Sequence, residues 1–307
     1  MSDSASVSST GKIPEPTAVA WRDLSRLQRT RVAGAIGWIV LTTLAFVQPL
    51  NLLVQTSLDS SLNSYIPLVP FVAAFLLYAR PERFAGPYRS SIPATLFLCA
   101  VAAAALTAAS QWRGTLSVND HLGLTTLAYV CAVTAGGFLF LGSRWMAAAA
   151  FPMTFLIFMV PLPDAAVYWI ERASVLASAD VSEVLFRIAG IPLLREGTVF
   201  AVPGIVLEIA QECSGIRSSW ILFITSLVAS QLFLKSPWRR VILVAFVFPL
   251  AIVRNSSRIL VIALACVHIG PHMIDSWIHR LGGPIFFGLS LVPLFLLLLW
   301  LMRGERR

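Results

Sequence analysis

Apolar residues along this chain gather into long runs separated by short polar stretches. The runs fall at 32–54, 62–79, 92–110, 122–141, 145–162, 216–234, from 241 onward and at 284–302. A helix needs about 20 apolar residues to cross a bilayer, so the pattern predicts about eight transmembrane helices. The longest stretch outside the runs is 163–207. In its first half, Val167, Ile170, Val175, Val181, Val184, Leu185 and Ile188 recur at helical spacing with charged residues between them. That predicts either a helix lying in the membrane interface or a short helix on the soluble side. Residues 195–210 contain TVFAVPGIVLEIA, rich in β-branched residues around Pro203-Gly204, which predicts a β-hairpin.

The expected fold is therefore an all-α polytopic membrane protein, with an extracytoplasmic helix and a short β-hairpin before the sixth span. It divides into a polar tail (1–31), a four-span region (32–144) and a region of spans five to eight with the outer loop 163–215 (145–307). No apolar core precedes residue 20, so no cleavable signal peptide is expected.

Composition strengthens this reading. Of 307 residues, 57% are hydrophobic and 12% charged, whereas soluble domains carry about 25% charged residues. The net charge of +8 does not point to nucleic acid, because cytoplasmic loops of membrane proteins gather Lys and Arg. The tail, the even-numbered loops and the C-terminus hold 15 Lys/Arg against 5 Asp/Glu. The other side holds 8 against 10. Both termini are thus expected in the cytoplasm, with 163–215 facing outward and the lipid bilayer as the first partner.

Candidate chemistry begins with the four cysteines. Cys99, Cys131 and Cys266 lie within apolar runs and read as packing residues, whereas Cys213 sits at a run's polar edge in EIAQECSGIRSS. There is no CxxC or CxxH pair, so no metal or other cofactor is expected. Gly215 permits close backbone approach, and the start of the sixth span offers N–H groups that could stabilise a thiolate or an oxyanion. Arg254 and Arg258, four apart, share a helical face inside an apolar run, where a guanidinium is costly and usually marks function. At about 1.5 Å per residue, Arg258 lies about 26 Å along a run that crosses a core about 30 Å thick. Arg254 lies one turn deeper, and the adjacent Asn255 can bond a neighbouring span. His279 precedes the last run and, ahead of His268 and His272, is the candidate base. Cys213, Arg258 and His279 therefore share one expected depth near the outer face.

These residues resemble the exosortase/archaeosortase family of membrane cysteine transpeptidases that sort proteins. The resemblance rests on Cys213-Ser214-Gly215-Ile216-Arg217, then Asn255-Ser256-Ser257-Arg258, then His279, in that order. It implies Cys213 as nucleophile, Arg258 as stabiliser and His279 as acid/base, with Gly215, Arg217, Arg254 and Asn255 as possible supporting residues. It also implies membrane-anchored substrates with a C-terminal sorting signal, cleaved at the outer face of a bacterial inner membrane. Pro14-Glu15-Pro16 resembles one such signal but lies in the N-terminal tail and reads as chance. Two alternatives remain open on the residues: an anion-binding transporter using the paired arginines, and a non-catalytic scaffold in polysaccharide export.

Overall fold

Three helix breaks in the chain fall three residues before a proline. Proline has no N–H to give to the carbonyl four residues back, and its ring presses on that carbonyl. Pro49 breaks a run into α1 (Arg26–Ala45) and α2 (Val47–Asp59), bent by 72°. Pro152 separates α6 (Ser143–Ala148) from α7 (Ala150–Phe155). Pro249 separates α10 (Pro237–Ala245) from α11 (Val247–His268). On either side the ladder continues: Phe46 N donates to Thr42 O, and Leu50 N donates to Phe46 O. Pro284 and Pro293, by contrast, lie inside α12 (Trp277–Arg306).

The computed structural model describes residues 25–60, 62–79, 88–202, 205–208, 215–270 and 277–306. It comprises two compact units, Met1–Pro163 and Asp164–Arg307. In the first, Ser25 and Gln28 form a capping box that starts α1. A 3-10 turn, Ile66–Leu68, leads into α3 (Val69–Tyr78). Then come α4 (Ile92–Gln111) and α5 (Val118–Gly136), the latter capped by Ser117, whose hydroxyl accepts from Asp120 N. The α4–α5 seam is made of small residues, Ala102 and Ala105 against Ala128 and Cys131. Small side chains let membrane helices approach closely.

The second unit begins with α8 (Asp164–Ile188), whose bounds follow the amphipathic stretch read from the sequence. Three antiparallel strands come next: β1 (Leu194–Glu196), β2 (Val199–Val202) and β3 (Ile205–Glu208). β2 and β3 form the expected hairpin, with Val202 opposite Ile205. β1 is an added strand, turned back by Gly197 at φ 62°. Phe200 and Val202 are buried and pack with Val175, Ala179 and Phe186 of α8 and Ala263 of α11. A second core joins Leu222 of α9 (Ile216–Phe233), Leu243 of α10, Val247 of α11, and Leu294, Leu298 and Leu301 of α12.

The chain is thus an all-helical polytopic membrane protein with one small sheet. Among the described residues, five helices are long and apolar enough to cross a membrane, or seven if each of two broken pairs counts as one crossing. The expected second span corresponds to the shorter apolar helix Ile66–Tyr78, so the count of eight is not reached by full-length helices.

Candidate functional site

The described end of the Cys-Ser-Gly-Ile-Arg motif is Gly215, which caps the N-terminus of α9 at φ 64°, ψ 15°. This left-handed conformation costs a residue with a Cβ about 1–2 kcal/mol. Space restricts the position as well. A Cβ on Gly215 would meet Arg254 Nη2 at 2.9 Å and Asn255 Oδ1 at 3.3 Å.

Arg254 is the arginine that α11 brings to this turn. Its side chain is buried, with 8% of the residue exposed. Nη2 donates to Gly215 O at 3.1 Å and to Ser219 Oγ at 2.9 Å. The Gly215 carbonyl also accepts from Ser219 N at 3.0 Å, Ser218 Oγ at 3.0 Å and Ser219 Oγ at 2.8 Å. Four donors therefore converge on one carbonyl. A buried guanidinium bonded in this way does not snorkel to headgroups. Arg254 Nη1 is buried with no hydrogen-bond partner among the described residues.

The next two residues tie α11 to α8. Asn255 Nδ2 donates to Ser178 Oγ at 3.0 Å, and Ser256 Oγ donates to Ser178 O at 3.0 Å. Buried polar side chains need such partners, and here they fix which face of α11 turns inward. Sequence reasoning missed Ser178 and Ser219. A signal for Ser178 was present: Ser174, Ser178 and Ser182 recur every four residues along α8, marking one face with small polar groups.

The other candidates fall as follows. Arg258 lies one turn beyond Arg254 on α11 and is partly exposed. Arg217 lies in the first turn of α9 on its exposed side. Cys213 lies outside the described residues. His279 lies in the first turn of α12, but side chains at 277–282 are outside the described ones. The structure therefore brings Gly215, Arg254 and Asn255 together, and it describes neither the thiol nor the imidazole.

Away from this turn, Arg195 joins the sheet to α8. Its Nη1 donates to Glu183 Oε2 at 2.8 Å, its Nη2 to Asp180 Oδ1 at 2.7 Å and its Nε to Gly197 O at 2.8 Å. Glu183 also accepts from Arg187. The Arg195 hydrogen bond is the main cause holding the Glu183 carboxyl below its ordinary range, and Arg187 adds to it.

A family model described as transmembrane exosortase matches residues 57–296. No curated protein and no solved structure matches the chain.

Proposed function

The chain belongs to the transmembrane exosortase family, and on that footing we propose that it is a cysteine peptidase-transpeptidase acting on membrane-anchored proteins. Cys213 attacks the scissile carbonyl to form a thioester, and the carbonyl electrons pass through an oxyanion that Arg258 stabilises. His279 gives its proton to the departing amine, and water or a second amine then resolves the thioester. The observation that supports this reading is the seat of Gly215. The residue two positions after Cys213 is held by a buried guanidinium at the N-terminus of a long helix, where N–H groups favour negative charge. A guanidinium committed to a carbonyl and a hydroxyl of its own chain holds a turn in place, which favours an enzyme over an anion pathway. The test is processing in cells. Cys213→Ser is expected to abolish cleavage at unchanged protein level, because a hydroxyl does not ionise as a thiol does. Full processing by that variant would overturn the reading.

The same reading puts both termini in the cytoplasm and the reaction on the outer side of the cell membrane. Reporter fusions should then report residues 85 and 237 inside and residues 180 and 275 outside. An inside readout at 180 would put Cys213 on the wrong side for an exported substrate.

A further inference from the structure

We propose that Arg254 is a positioning residue whose guanidinium holds the Gly215 turn and so sets the backbone that follows Cys213. This rests on the cysteine-peptidase reading above, and it gives Arg254 a task separate from that of Arg258.

Four observations carry the inference. First, the cation is spent on backbone geometry. Nη2 bonds Gly215 O and Ser219 Oγ, and Ser219 Oγ bonds the same carbonyl, so three groups close a triangle. Second, the partners of the Arg254 guanidinium are a carbonyl and a hydroxyl rather than a carboxylate. A cation inside an apolar helix with a carbonyl as its partner is expensive to keep unless it serves function. Third, the segment carrying Arg254 is itself anchored. Asn255 and Ser256 bond Ser178 on both its hydroxyl and its carbonyl, so α11 cannot roll without breaking buried hydrogen bonds. Fourth, the turn is fitted to its partner. Gly215 is left-handed, and a Cβ there would strike Nη2 at 2.9 Å. One nitrogen, Nη2, serves both the carbonyl and the hydroxyl, and the rigid guanidinium plane fixes the directions of its two N–H bonds, whereas the ammonium of a lysine is a point donor on a shorter, flexible stem. The triangle supplies a reason for Lys to fail at 254.

The consequence is kinetic. A turn that is held loosely still binds the substrate's apolar helix but presents the nucleophile poorly, and a displacement of about 1 Å can cost about a hundredfold in rate. The test uses the full-length protein in proteoliposomes, with the membrane protein that accumulates uncleaved in Cys213→Ser cells as substrate. Arg254→Lys is expected to lower kcat by about tenfold or more with KM within about twofold. Ser219→Ala should lower kcat less, and the double variant should be no slower than Arg254→Lys alone, because both act through one triangle. Hydrogen exchange supplies a readout that does not need catalysis. Arg254→Lys should speed exchange in the first turn of α9 while α12 keeps its wild-type rate. A raised KM at unchanged kcat would assign Arg254 to substrate binding and overturn the proposal. Multiplying effects of the two substitutions, or faster exchange across all of residues 216–306, would also overturn it. Faster exchange confined to the start of α9 in a chain whose Cys213→Ser variant still cleaves would leave Arg254 as the holder of the turn and remove the cysteine chemistry instead.

Discussion

The α4–α5 seam and the α8–α11 seam use residues of similar size and differ in what those residues can bond. In the first, Ala102, Ala105, Ala128 and Cys131 meet without a polar group among them. In the second, Ala179 and Ala263 share a core with Val175, while Ser178 beside them receives Asn255 and Ser256. Small size alone lets helices approach, since dispersion contacts are the main attraction available in lipid. It does not select one rotation of a helix over another by much. Hydrogen bonds to a single buried serine do, because every other rotation leaves polar groups unpaired at about 1–3 kcal/mol each. The polar seam is also the one whose helix carries Arg254 to Gly215. Apolar packing builds the bundle, and the polar seam fixes the register in which chemistry can occur.

The largest contrast should come from the cysteines. Cys213→Ser is expected to reduce processing by at least about a hundredfold, the order expected for loss of a nucleophile. Cys131→Ala, in the alanine seam, should process normally per molecule of enzyme, as should Cys99→Ala and Cys266→Ala. Loss of processing in Cys131→Ala with intact expression would show that the seam is more than packing.

Next in size is a paired substitution. Asn255→Leu removes the donor to Ser178 and should cost about 1–3 kcal/mol in stability. It should also lower the processing rate of the molecules that remain folded, because α11 then seats Arg254 less firmly. Ala105→Leu overfills the other seam at a similar cost of about 1–3 kcal/mol. It should lower the amount of folded protein and leave the rate per folded molecule unchanged. Equal losses of specific rate in the two variants would erase the distinction between the seams.

The smallest effect concerns the ion pairs that join β1 to α8. Because the Glu183 carboxyl sits below its ordinary range in the folded protein, the stability it contributes is complete above the unfolded carboxylate range. It is lost as pH falls through the lower folded value. Thermal unfolding should therefore separate wild type from Glu183→Gln at neutral pH and bring them together on acidification. The gap should be small, since the group is partly exposed and surface ion pairs contribute little. A gap that widens at low pH would mean that Glu183 is not held by Arg195.

Much of this organisation was legible from residue pattern. Hydropathy located most of the spans, although the second proves to be a shorter helix, Ile66–Tyr78. The helical recurrence from Val167 to Ile188 located α8, and Pro203-Gly204 between β-branched residues located the hairpin. The helix beginning at Ile216 followed from the apolar run at 216–234. What escaped were relations between distant residues. β1 is three residues long and too short to announce itself by alternation; it pairs with Val199–Ala201 of β2, and its Arg195 reaches Asp180 and Glu183 on α8. The bend at Phe46 was hidden because Pro49 sits in a run whose hydropathy does not change across it. The pairing of Arg254 with Gly215 spans 39 residues, and periodicity within one helix says which residues share a face but not what that face meets.

The length of the segment that contains Phe246 has a further consequence, in the matching of helix length to membrane thickness. The apolar segment Pro237–His268 runs 32 residues, far longer than one crossing needs. Pro249 interrupts the hydrogen-bond ladder at Phe246, but the segment continues as one apolar helix, and at about 1.5 Å per residue it measures about 48 Å against a hydrocarbon core about 30 Å thick. A segment of that length is accommodated by tilting or by carrying its ends into the headgroup layer, where Arg239 and Arg240 in its first turn keep their charges in water.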